Sequence, residues 1–181
     1  MQIKDKLVLI IICILNLSIF ALNAFGDEFN ISAVEVSVDK TNNIVIGKGE
    51  VKVTDTEGKI IYADKVIYEK SQEFLTIEGS VKVLDVEGNV LETDKAIYDK
   101  IKDIIITYGD SKIILKEGYQ LNSDNVLYNN GNKIISSDQN SVFTDIDGNI
   151  VMVDMFQYHI KKDLFSSVGN IKIIDAKKNK Y

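Results

Sequence analysis

The fold is decided by Leu75-Thr76-Ile77-Glu78-Gly79-Ser80-Val81-Lys82-Val83, then Asp85-Val86-Glu87-Gly88, then Asn89-Val90-Leu91-Glu92-Thr93-Asp94-Lys95-Ala96-Ile97-Tyr98. In the first part the odd positions are apolar or Gly and the even positions polar, which is the period of a half-buried strand. Asp85 opens a turn through its side-chain acceptor, and Gly88 supplies positive φ at the end of it. The last part is apolar near both ends and polar at Glu92 and Asp94. The unit is therefore strand, tight turn, strand. A looser polar loop, Asp99-Lys100-Ile101-Lys102-Asp103, leads on to the next unit.

The unit recurs every 30 residues: Gly58, Gly88, Gly118 and Gly148 keep this interval, as do Asp64, Asp94, Asp124 and Asp154, and Tyr68, Tyr98, Tyr128 and Tyr158. A period of that length means one supersecondary unit was copied, and each copy needs its neighbours to bury its apolar face. Stepping by the same interval gives apolar columns. One is Val45, Leu75, Ile105, Ile135 and Phe165. A second is Val53, Val83, Ile113, Phe143 and Ile173. Ile61, Leu91, Leu121 and Val151 form a third, and Val36, Val66, Ala96, Val126 and Phe156 a fourth. Stacking produces such columns, because each side chain lies over its counterpart in the next copy.

About five copies of two strands each predict roughly ten antiparallel strands in one meander. Gly49, Gly79, Gly109 and Gly169 recur within the strands, with Gln139 in the fourth copy. A strand Gly marks a bulge or bend. The expectation is an all-β chain, an elongated antiparallel β-jellyroll or open V-shaped sandwich, folded over along the Gly line with the apolar columns inside. A β-helix with three strands per coil is the alternative, and the hairpin turns weigh against it.

The first residues read as a secretory leader. Lys4 and Lys6 give a positive start, Leu7 to Leu22 is apolar apart from Asn16 and Ser18, and Ala24 suits a cleavage site. Residues 1–24 are thus expected to be a signal peptide and 25–181 the β-domain. An uncleaved anchor is the alternative, although the run is short against the roughly 17–25 residues of a span. The sole cysteine, Cys13, lies in this segment, so the mature chain has no thiol. Residues 1–24 carry a net +1, so the mature charge is −6 − 1 = −7. An acidic, dispersed surface argues against nucleic-acid binding. The absence of Pro among 181 residues suits long hydrogen-bonded ladders.

Catalytic chemistry is thinly supplied. His159 is the only histidine and reads as a surface residue at a strand edge. The Asp column is spaced one per copy, which lays carboxylates in a row, whereas a hard cation wants oxygens converging on a point. Local backbone bonding is the expected role for these aspartates. The Tyr column is expected to bury its rings and keep its hydroxyls wet. No phosphate loop, nucleophile elbow or zinc spacing occurs, and no metal or cofactor is expected.

Copies of the type Gly49-Glu50-Val51-Lys52-Val53 … Tyr62-Ala63-Asp64-Lys65-Val66-Ile67-Tyr68 are repeated in Gly79-Ser80-Val81-Lys82-Val83, Thr93-Asp94-Lys95-Ala96-Ile97-Tyr98 and Ser123-Asp124-Asn125-Val126-Leu127-Tyr128. This pattern resembles the OstA-like family, the periplasmic β-jellyrolls of the lipopolysaccharide-transport (Lpt) system, of the LptA and LptD N-terminal type. The resemblance covers residues 30–175. It implies a periplasmic, outer-membrane-directed component that binds lipopolysaccharide, shelters the acyl chains of lipid A in its groove and joins other Lpt jellyrolls edge to edge. The family has no catalytic residues to carry over. Its lipid-contacting positions would here be the interior columns: Val45, Leu75, Ile105, Ile135 and Phe165, with Val53, Val83, Ile113, Phe143 and Ile173. A cleaved leader and one jellyroll look like LptA, and a retained anchor would look like LptC. The end at Lys177-Lys178-Asn179-Lys180-Tyr181, just after a regular copy, leaves the N-terminal part of a truncated LptD as a further reading. The competing function is a structural β-repeat that assembles by strand pairing and carries no lipid.

Overall fold

The structure is a computed structural model and describes residues 29–177. The leader expected at 1–24 lies outside the described residues. What is described is all-β: β1 (Phe29–Ser32), β2 (Glu35–Asp39), β3 (Ile44–Asp55), β4 (Ile60–Glu69), β5 (Phe74–Leu84), β6 (Val90–Asp99), β7 (Ile104–Thr107), β8 (Asp110–Ile114), β9 (Gln120–Asp124), β10 (Leu127–Asn129), β11 (Ile134–Ser137), β12 (Ser141–Thr144), β13 (Ile150–His159) and β14 (Leu164–Ile174), with one 3₁₀ turn at Ile160–Lys162.

Every pairing is antiparallel. Several segments are halves of one long strand. β1 and β2 both lie on β3, β7 and β8 both lie on β6, and β11 and β12 both lie on β13. Joined in this way they make the meander the repeat predicts, each long strand beside the next. The β-helix alternative is overturned, because sequence neighbours pair as hairpins and do not stack as coils.

The long strands fold over where the mid-strand glycines stand. Register shifts fall between Lys48 and Val51, Glu78 and Val81, and Val153 and Met155. At Gly79 the backbone has φ +77°, and a Cβ there would collide with the Asp64 carboxylate on the neighbouring strand. Only glycine tolerates both demands. The strand breaks at Gly109, between β7 and β8, and again at Gln139, which stands in the Gly column. Ser137 Oγ accepts from Gln139 N at 3.1 Å, and Ser141 Oγ donates to its carbonyl at 2.7 Å, so hydroxyls satisfy the backbone that the ladder does not.

The fold-over divides the sheet into two leaves. One ends in the tight turns 55–59, 85–89, 115–119 and 145–149. Asp55 Oδ1 accepts from Glu57 N and Lys59 N, Gly58 N bonds Asp55 O, and Asp85 and Asp145 repeat the device. The other leaf ends in the looser loops, where Asn43, Glu73, Asp103, Lys133 and Asp163 adopt positive φ without being glycine. The core lies between the leaves. Leu75, Ile77, Val66, Val53, Tyr98 and Ile105 are fully buried there, each aliphatic one contributing about 1.5–3 kcal/mol.

Candidate functional site: the seam between two leaves

Alternation along each strand sends one set of side chains inward, and strand pairing sets them in rows. In the loop leaf the inward row nearest the open side runs Val45, Tyr68, Leu75, Tyr98, Ile105, Tyr128, Ile135, Tyr158, Phe165. In the tight-turn leaf it runs Val53, Ile61, Val83, Leu91, Ile113, Leu121, Phe143, Val151, Ile173. Both expected columns thus lie inside and face each other. Val45, Leu75, Ile105, Ile135, Val53, Val83 and Ile113 are buried, and Phe143 and Phe165 are half-buried. Ile173 is 40% exposed, because β14 is the last strand and the tight-turn leaf has no further neighbour over it among the described residues.

The interior is filled. The gap between Val83, Leu91, Ile113, Tyr128 and Ile135 measures only about 10 Å³. The larger spaces lie along the fold-over, not in the seam: one of 760 Å³ beside Lys82, Glu92, Lys112 and Asn122, and one of 520 Å³ beside Leu127, Ser137, Met155 and Val168. At the N-terminal end Phe29, Ile31, Val38, Val45, Tyr68 and Lys70 line a cavity of 370 Å³. Among the described residues nothing covers the ends: Val36 is 48% and Val38 58% exposed at the β2 end, and Ile171 52% exposed at the β14 end.

The tyrosine hydroxyls are not wet, which corrects the expectation from sequence. Those of Tyr98 and Tyr128 tie the two leaves together across their open side. Tyr98 Oη accepts from Lys59 Nζ at 2.6 Å and donates toward Asp103 Oδ1 at 3.0 Å and Asp55 Oδ2 at 3.2 Å. Lys59 also sits 4.1 Å from the Tyr98 ring centre and pairs with Asp103 at 3.2 Å, and Lys100 bonds Glu57 at 2.7 Å. Burial, together with the charges of Asp103 and Asp55, pushes the Tyr98 hydroxyl far above its ordinary range. Burial works against the Asp103 carboxylate, but the Asn130 hydrogen bond and the Lys59 charge outweigh it and hold its pKa below the usual value. One repeat further on, Tyr128 Oη donates to Asp85 Oδ2 at 3.0 Å, and Lys133 reaches Glu87 at 3.0 Å. Sequence reading missed these ties because the two leaves are staggered. The partners are separated by 43 positions, not by the 30-residue period.

The aspartate column runs along the fold-over. Asp154 Oδ2 accepts from Asn170 N at 2.8 Å, the backbone role expected of it, and Asp64 Oδ2 accepts from Ser80 Oγ at 3.3 Å. Among the described residues no three His, Cys, Asp or Glu side chains converge as metal ligands would. His159 is half-buried at the end of β13, 3.2 Å from Gln157 Oε1.

No family model and no curated protein matches the chain. Among solved structures it is similar to LptH from Pseudomonas aeruginosa, the LptA homologous periplasmic component of the conserved lipopolysaccharide transport device. The identity is 12%, over 82% of this chain and 96% of that one, with a TM-score of 0.34. It is also similar to the TCP10 domain of Danio rerio CPAP in complex with a STIL peptide, at 12% identity over 84% of this chain and 97% of that one, with a TM-score of 0.18. At these values neither likeness decides function.

Proposed function

We propose that this chain is a periplasmic lipopolysaccharide-binding transport component. It shelters acyl chains between its two leaves and bridges toward the outer membrane by pairing its edge strands with other jellyrolls. The observation that carries the reading is an apolar seam running lengthwise from Val45 to Phe165, which no described residue caps at either end. A closed globular domain covers its core at the ends; here Val38 and Ile171 are exposed where the seam emerges. Among the described residues β14 pairs only with β13, and β2 only with β3, so backbone at both edges is free to add a strand. Each methylene transferred from water into the seam gains about 0.8 kcal/mol. The repeated pattern typified by Thr93-Asp94-Lys95-Ala96-Ile97-Tyr98, which resembles the OstA-like family, points the same way.

One observation favours a second reading, a structural β-repeat that assembles through its edges without lipid. The interior is already packed, so acyl chains enter only if the leaves part. Displacement of fluorescent lipid A from the full chain separates the two. Saturable binding supports transport, and assembly without saturable binding supports the structural reading.

A further inference from the structure

The seam is tied at two registers and untied at a third. Asp55 and Lys59 hold Tyr98 and Asp103, and Asp85 holds Tyr128. At the next register Leu115 stands in the position of Asp55, and Tyr119 in the position of Lys59. The Tyr158 hydroxyl makes no hydrogen bond to a carboxylate across the seam, although the charge of Glu117 in the facing turn reaches it; it donates to Asp163 of its own loop at 2.7 Å. The leaves meet here mainly through aromatic rings. Phe143 of the tight-turn leaf packs against Phe165 at 5.1 Å and Tyr158 at 6.3 Å in the loop leaf.

These two kinds of contact respond differently to hydrocarbon. An acyl chain pushed between Lys59, Asp55 and Asp103 would leave charges unpaired in an apolar setting, at high cost. At the third register it exchanges ring contacts for methylene contacts, an apolar-for-apolar replacement.

We propose that the gap between the 115–119 turn and the Tyr158–Asp163 loop is a lateral port. Through it the acyl chains of an amphiphile pass sideways into the interior while its polar head stays outside. This rests on the acyl-chain reading of the seam and adds where entry occurs.

The variant Leu115→Asp/Tyr119→Lys tests it, because it rebuilds the first tie at the third register. Lys59 is 39 positions from Tyr98 and 44 from Asp103, and position 119 stands at the same two spacings from Tyr158 and Asp163. Uptake of fluorescent lipid A from detergent micelles by the full chain should slow about tenfold, the factor that one charged hydrogen bond across the gap supplies. Tyr119→Lys alone, at a half-buried position that accepts a charge, should slow uptake in the same direction and carries the test if Leu115→Asp prevents folding. Tyr128→Phe, which unties the second register, should not slow uptake. A folded rebuilt variant that loads at the wild-type rate overturns the port and leaves the acyl-chain reading standing. Wild-type protein that takes up no lipid A overturns both.

Discussion

The Tyr98 hydroxyl lies 3.2 Å from the Asp55 carboxylate, and the two residues belong to opposite leaves of one folded sheet. That contact pins the two leaves together across their open side. It is repeated by Tyr128 and Asp85 at 3.0 Å. Lys59, fully enclosed between Tyr98, Asp55 and Asp103, makes the first tie an ionic cluster.

Removing Lys59 should therefore be costly. Lys59→Met leaves Asp103 without its cation and Asp55 with only Lys100 at 3.8 Å in a buried site, and about 3–5 kcal/mol of stability should be lost. The exposed pair Lys82–Glu92, at 3.0 Å, is the control: Lys82→Met should cost no more than about 1 kcal/mol. Urea titration of both variants checks the difference.

The ties set a pH window. The pKa of Asp103 is lowered in the fold, so its stabilising contribution is present above the unfolded value and is lost as pH falls through the folded one. The window thus closes below about pH 4. The pKa values of Tyr98 and Tyr128 are raised, so their contribution is present below the unfolded value and is lost as pH rises toward the folded ones, which begins above about pH 10. Denaturant midpoints should be level between these limits and fall outside them. Tyrosinate absorbance should appear late, together with unfolding.

The glycines of the fold-over differ in a measurable way. Gly79 and Gly109 both have positive φ, but a Cβ at Gly79 meets the Asp64 side chain and one at Gly109 meets nothing within 4 Å. Gly109→Ala should cost about 1–2 kcal/mol, the backbone penalty alone. Gly79→Ala should cost more than that by thermal or urea unfolding.

The two ends of one apolar pattern should also separate. Leu75→Ala removes a fully buried side chain and should cost about 2–5 kcal/mol. Ile173, 40% exposed on β14, should cost less than about 1.5 kcal/mol when truncated to Ala, since much of its surface is already in water. Parallel urea titrations give the comparison.

Much of this architecture is written in the sequence at short range. The alternation in Leu75–Val83 and the turn at Asp85–Gly88 give strand and hairpin directly, and the 30-residue interval gives the stacking. Asn43, Glu73, Asp103, Lys133 and Asp163 take left-handed backbone although no glycine marks them, so this part of the repeat stays hidden. The cross-seam ties are hidden for a different reason. They depend on how far one leaf slides past the other, a property of sheet twist that no local window carries. The change from Asp55 and Asp85 to Leu115 is visible as a break in a column, but its meaning needs Tyr158 placed opposite it. The column alone places Ile173 in the groove; its exposure follows from its being on β14, the last described strand, where stacking ends.

The central claim is that acyl chains lie against the inward side chains of this seam. Photo-crosslinking from neighbouring positions tests it most directly. Phe143 points inward beside Leu121 and Val151, and Val142 points outward beside Met152 and Asn122. With a photoreactive residue at each position in turn and lipopolysaccharide present, an adduct should form from 143 and not from 142. Equal labelling from both positions, or labelling from neither in folded protein, would contradict the account.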